Sequence, residues 1–533
     1  MISIKYSLIK KLVFVYIALP LICFFIGWLR WYYAAFACAA VLTCLFFVFK
    51  QREKETDEAL DVSIVFLVVL IVVSVLFCVY CGIGRLWAQS KDYPWRNAIF
   101  RDIILREWPV IYDKYEGALS YYIALWLPPA LIGKLSLLIN NNSELAFRVG
   151  NITLLAYSSL GIILLFLLIL LYLKPTKKFQ FYLAVFMFIF FSGMDILGSI
   201  EPLGANNYHL EWWADKYQYS SFTTCMCWVF NQSIIPWLCM LLILKEKKVS
   251  FFVFTGMCCL LSGPLPFIGL FIYCISVGIY RFVNSIKEKK VKDCLKEVFS
   301  VSNILSVVCI FPFLGFYLFS NASFQGGGGL QLTNEAVNLT ETVGDAGAGS
   351  VFSDIINYVV FILFEFLILM ILLFRKNIKN YLYYVTLIML LIFPFIKVGY
   401  AYDFVMRASI PSLLYLYLIS VKFVFEESYV VKKQKDELAE NKKYLKDLFL
   451  RYSYILVIAC LVLGAFTPAV EFIRGFRQVK LRGVDDIMTD YLYTLGEDSE
   501  SSFAIDGDEL SFTNFVAVNY KETFFFSYFS KTK

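Results

Sequence analysis

Apolar residues along this chain come in long runs separated by short charged stretches. Runs near 12–28, 31–49, 62–83, 119–139, 145–173, 181–198, 221–244, 297–319, 351–374, 381–400, 408–425 and 452–471 dominate the sequence. A helix needs roughly 17–25 apolar residues to cross about 30 Å of hydrocarbon. The run 250–283 is too long for one plain span. Ser262-Gly263-Pro264-Leu265-Pro266 in its middle predicts two shorter helices joined by a turn. The expected fold class is an all-α polytopic membrane protein.

Composition removes the soluble alternative. The 533 residues are 60% hydrophobic, 18% aromatic and 17% charged, with a mean hydropathy of +0.69. A soluble chain of this size has no place for so much apolar surface. The first run is followed at once by the next, with no small-residue cleavage site, so it reads as a retained span rather than a signal peptide. The net charge of +6 gives no reason to expect a nucleic-acid partner.

The loops sort by charge. Lys5, Lys10 and Lys11, then Lys50, Arg52 and Lys54, then Lys174, Lys177 and Lys178, then Lys245, Lys247 and Lys248 form basic clusters, as do 287–292, 375–379 and 432–451. Basic loops face the cytoplasm. Segment 199–220 carries only Lys216, and 321–350 has no Lys or Arg, so these are expected outside. Counting 250–283 as two gives fourteen crossings, which would put Lys174 and the later clusters on the wrong side. One element between 119 and 173 is therefore expected to be irregular: Pro128-Pro129 interrupts 119–139, or 145–173 folds back. About thirteen spans restore the sorting. The expected organisation is a transmembrane domain over 1–471, with outer loops 85–120, 199–220 and 321–350, and a short extracytoplasmic tail over 472–533. The localisation expected is the cell membrane, with a cytoplasmic N-terminus.

Other local signals are weak. The fourteen cysteines lie almost entirely in apolar stretches and are absent from the proposed outer segments, which suits core packing rather than disulfides or zinc. Gly326 to Gly329 lack a following Gly-Lys-Ser/Thr and describe a flexible loop. Asn321-Ala322-Ser323 and Asn338-Leu339-Thr340 match the glycosylation acceptor pattern.

The first outer loop breaks the charge rule. Residues 85–120 hold six Lys/Arg, namely Arg85, Lys91, Arg96, Arg101, Arg106 and Lys114, and five Asp/Glu. Asp92 with Arg96 and Asp102 with Arg106 are four apart and would pair on a helix. The 95–107 segment has no clean apolar face, since Trp95, Ile99, Asp102 and Arg106 share one side. Such a helix suits contact with protein and with a water-filled anion site.

The order of these features resembles the integral-membrane glycosyltransferases of the GT-C fold, the class that includes lipid A aminoarabinose transferases and protein O-mannosyltransferases. An outer loop opens with Asp92 and a helical stretch ends in "REWPV". An aromatic-rich "LSYYIALWLPPALIGKLSLL" follows, then "NNNSELAFRVGNITLLAY", where Arg148 opens the next helix. The match covers roughly residues 60–200. It departs from many relatives in having Tyr93 where they have a second acidic residue, and in having no evident accessory domain. The stretches "HLEWWADKYQYSSFTTCMCWVFNQSIIPWL" and "YDFVMRASIPSLL" are similar to ones in multi-span proteins of bacterial surface-polysaccharide systems.

The resemblance implies transfer of a sugar from a polyprenyl-phosphate carrier to a hydroxyl of a glycan or lipid. Such a reaction needs a carboxylate as general base and cations for the charge gathering on the phosphate. Asp92 is the expected base, with Asp102, Glu211, Asp195 and Glu201 as further carboxylates at the same face. Arg96, Arg106, Arg407 and Arg101 are candidates for phosphate. Arg407 begins a late span, four residues after Asp403, its alternative partner. Trp95, Asn206, His209 and Trp212 are candidates for the sugar, with Trp212-Trp213 equally suited to anchoring the loop at the interface. His209 is the only histidine, and no spacing supports a resident metal site. A divalent cation bound with the phosphate stays compatible with the chemistry.

Two other classes fit the same outline. A transporter or flippase should place polar residues mid-span and show a repeat. The charged residues here gather instead in outer loops, Glu365 and Asn231-Gln232 excepted, and no repeat is evident. A polysaccharide polymerase also works on lipid-linked sugars at the outer face, and a non-catalytic membrane partner of an enzyme complex has no distinguishing motif.

Overall fold

The computed structural model describes residues 2–51, 58–113, 116–199, 209–214, 217–322, 330–332, 348–398, 403–436, 444–489 and 514–532. The chain is mostly helical and forms two compact units. Unit 1 comprises Met1–Leu168, Cys227–Gly329 and Gly475–Lys533, and unit 2 comprises Ile169–Met226 and Leu330–Arg474.

Among the described residues seven helices are long and apolar enough to cross a membrane, or eight if the bent pair Phe222–Gln232 and Ile234–Lys245 is one span. Five shorter apolar helices accompany them: Ile64–Tyr80, Ala124–Asn140, Lys178–Ile189, Phe252–Ser262 and Tyr381–Phe395. Several sequence runs yield helices shorter than themselves because turns take up their ends. Of the two elements offered as irregular, 145–173 is one unbroken helix, Ser143–Leu173. The interrupted one is 119–139. There a 3-10 turn at Ala124–Trp126 precedes Leu127–Asn140, with the Pro128-Pro129 pair in its first turn. At 1.5 Å per residue its fourteen residues reach about 21 Å, short of a full crossing.

In unit 1 the Tyr6–Trp28 helix is central, with Val13, Phe14, Ile17, Leu21, Phe24, Phe25 and Trp28 buried. Its neighbour Trp31–Lys50 exposes Phe36, Leu42 and Phe46, as a lipid-facing helix does. The run 250–283 is two helices, Phe252–Ser262 and Pro264–Lys287, meeting at Gly263. Ser262 Oγ donates to the Asn231 carbonyl at 2.7 Å, which sets this break against the break after Gln232. A π-helical turn at Ser306–Ile310 comes just before Pro312. A proline lacks the N–H that an α-helix needs there, and a widened turn accommodates it.

Unit 1 has a basic end and a loop end. At the basic end Lys10 Nζ lies 2.6 Å from Glu246 Oε1, and Tyr6 donates to the same oxygen at 3.0 Å. Lys245 pairs with Glu58, Arg281 donates to the Glu246 carbonyl, and strand Ile2–Lys5 pairs with strand Ala59–Val62. Two of the basic clusters read from the sequence, Lys5–Lys11 and Lys245–Lys248, thus converge. At the loop end strand Gly117–Leu119 pairs with Ile111–Tyr112 on one side and with Val516–Val518 on the other. Arg30 donates to the carbonyls of Ser530 and Ser527, both at 3.0 Å, and Lys531 N donates to the Trp28 carbonyl. Residues 514–532, expected as part of a short tail, are built into unit 1. The Asn321 amide is buried and donates to the carbonyls of Ser120 and Asn514, so this sequon is no glycan acceptor in the folded chain. Asn338 lies outside the described residues.

In unit 2 the principal helices are Lys178–Ile189, Asp354–Asn377, Tyr381–Ile392, Ile410–Asp436 and Tyr444–Gly464, with Phe466–Thr489 continuing into unit 1. The Leu210–Ala214 turn is tucked among them, and strand Leu330–Leu332 pairs with Ile396–Val398.

Candidate functional site

The charged loop 85–120 of unit 1 does form a helix, Tyr93–Leu105. Its approach is set by Gly82, at φ +85°, where a Cβ would meet the Ala88 carbonyl at 2.9 Å. Gln89 donates to the Gly82 carbonyl and accepts from Asn97, and Ser90 donates to the Cys227 carbonyl. Ile99, Phe100, Ile103 and Ile104 are buried, and Gly150 lets Ile104 press against the Ser143–Leu173 helix. The helix has no clean apolar face because protein covers it on more than one side.

Both predicted pairs form on this helix, with different consequences. Asp102 is 1% exposed, accepts from the Tyr112 hydroxyl at 2.9 Å, and lies 3.6 Å from Arg106 Nε. It is a brace between helix and strand. Asp92 stands at the helix N-terminus with a side chain 47% exposed. Its Oδ2 accepts from Arg96 Nη2 at 3.0 Å. Arg96 is 5% exposed, and its Nη1 has no partner among the described residues. Tyr93 stacks on Phe230 at 5.8 Å, and Trp95 on Phe515 at 5.7 Å. Arg148 is exposed and 3.6 Å from Glu144 on its own helix.

Unit 2 holds the other candidates. His209 lies between two carboxylates, with Nδ1 2.7 Å from Glu471 Oε1 and Nε2 3.4 Å from Glu211 Oε2. Burial lowers the imidazole pKa, but Glu471 and Glu211 outweigh it and push it up to about 10. Burial raises Glu211 in turn, and His209 outweighs that and holds it below the ordinary carboxylate value. Gln218 and the Ser221 backbone N–H complete its shell, both at 2.8 Å. Trp212 is 46% exposed, edge-on to His209 at 5.2 Å. Arg407 lies 2.9 Å from Asp403, the alternative partner named from the sequence. Asn206 and Glu201 lie outside the described residues.

Asp195 accepts from Thr467 at 2.6 Å, Ser192 at 3.1 Å and the Trp213 indole at 3.1 Å. The same indole lies 3.3 Å from Glu365. Glu471 and Thr467, some 260–270 residues from their partners, carried no local signal in the sequence. Among the described residues no group of three or more His, Cys, Asp or Glu is placed to hold a metal ion. No family model, curated protein or solved structure matches the chain.

Proposed function

We propose that this chain is a membrane glycosyltransferase that moves a sugar from a polyprenyl-phosphate carrier to a hydroxyl of a glycan or lipid, with the loop end of unit 1 outside the cell. The observation that carries the reading is the Asp92–Arg96 pair: a half-exposed carboxylate held through one oxygen, beside a buried guanidinium with one nitrogen unpartnered among the described residues. The acceptor O–H gives its proton to Asp92 Oδ1, its oxygen bonds to the anomeric carbon, and the lipid phosphate leaves with the bonding pair. Arg96 turning toward the phosphate both loosens Asp92 and stabilises the leaving group.

Asp92→Asn keeps the shape and loses the proton acceptor. Transfer from a purified polyprenyl-phosphate sugar in nanodiscs should fall by roughly 10²–10⁴, with insertion unchanged. Turnover at the parent rate in the Asn variant would remove Asp92 from the reaction.

A second reading, a polymerase or flippase of lipid-linked sugars, is favoured by the facing helix breaks in unit 1. Asn231 Oδ1 and both polar atoms of Gln232 are buried there without partners among the described residues. Broken helices with polar side chains at depth are how transporters build substrate sites. Mass spectrometry of surface glycans separates the two: loss of one sugar branch marks a transferase, uniformly short chains a polymerase.

A further inference from the structure

Unit 2 buries four carboxylates among its described residues, and two of them meet no cation there. Asp195, Glu211, Glu365 and Glu471 are each 4% exposed or less. His209 pairs with Glu211 and Glu471, and Arg474 with Glu471. Neither cation reaches Asp195 or Glu365. These two meet instead around one neutral donor, the Trp213 indole N–H, 3.1 Å from Asp195 Oδ1 and 3.3 Å from Glu365 Oε1. Two carboxylates that share a donor in apolar surroundings do not both stay ionised.

The outer oxygens show which one gives way. Asp195 Oδ2 accepts from the hydroxyls of Thr467 and Ser192, so donors surround that carboxylate and favour its charge. Glu365 Oε2 is buried, and nothing among the described residues donates to it. An acceptor without a donor is the natural seat of a proton. The helix itself is altered at this point. Leu363–Leu367 is π-helical, yet the stretch 348–377 contains no proline to cause it. Glu365 is twelve residues from Asn377, about 18 Å along the helix and close to half-depth in a bilayer.

We propose that Asp195 and Glu365 form a proton-binding site inside the membrane-spanning part of unit 2, with one proton for the two carboxyls and Glu365 as its carrier. Among the described residues the charged group acting on both carboxyls is Glu211, itself paired with His209, and it opposes a second negative charge at the pair. Trp213, Thr467 and Ser192 are neutral. The site does not depend on the transferase reading of unit 1.

Infrared spectra of the protein in nanodiscs at neutral pH test this. A protonated-carboxyl C=O band that shifts in D2O is expected in the parent and missing in Glu365→Gln. Gln imitates the protonated acid, so Glu365→Gln should melt no lower than the parent, whereas Asp195→Asn should melt lower. Absence of the band in the parent, its survival in Glu365→Gln, or failure of Glu365→Gln to fold overturns the proposal. Loss of the band with a raised Tm on adding NaCl assigns the pair to a metal cation and also overturns it.

Discussion

Asp92 and Asp102 sit on the same short helix, yet only one has an oxygen to offer. Asp102 is spent on Tyr112 and Arg106. Asp102→Asn should lower stability by about 1–3 kcal/mol, the cost of an imperfectly matched buried polar group, and leave turnover per folded molecule unchanged, read by melting curves beside the transfer assay. His209 makes a pH forecast. Its folded pKa of about 10 lies above the ordinary value of about 6.5. Its stabilisation is therefore complete below about pH 6.5 and lost as pH rises through about 10. Glu211, held low, works in the other direction and loses its contribution on acidification. The parent Tm should fall toward pH 10, and His209→Gln, lower throughout, should show a flatter alkaline limb. The i,i+4 pairs at Asp92, Asp102 and Asp403 were legible in the sequence because their partners lie one helical turn away. Those of His209 and Asp195 were not, because tertiary packing alone brings residues 471 and 467 to them.

At the scale of elements, the loop helix is held by a missing side chain. A Cβ on Gly150 would lie 2.5 Å from Ile104 Cδ1. Gly150→Val should push Tyr93–Leu105 off its seat and lower transfer while the chain still inserts. Ile104→Ala should restore part of the loss by making room, a coupling that the double variant measures directly. The long helices were legible from run length. The irregular ones were only half legible. Gly263-Pro264 and Pro128-Pro129 announced their breaks, and Pro312 sits beside its π turn. The π turn around Glu365 has no proline to announce it.

At the scale of the whole molecule, the Lys5–Lys11 and Lys245–Lys248 clusters and the loop helix occupy opposite ends of unit 1, which is what charge sorting across a membrane produces. Cysteines introduced at Glu107 and Lys531 should react with an impermeant thiol reagent in intact cells, and one at Lys289 only after lysis. All three positions are exposed. Labelling at Lys289 in intact cells would invert the orientation. The loop end also depends on a distant partner. A chain stopped after residue 513 should insert but melt earlier and lose transfer, since strand Gly117–Leu119 and Arg30 lose their pairing.

That dependence sets a clock on biosynthesis. Arg30 and Ser530 are 500 residues apart. At ~5–20 residues per second, a ribosome needs about 25–100 s to travel between them. Through most of that interval the strand at Gly117–Leu119 waits with one edge open, and an open edge invites any passing strand. The nascent chain is thus most vulnerable to mispairing after most of its helices have been made, and slowed synthesis should increase aggregation through this edge first.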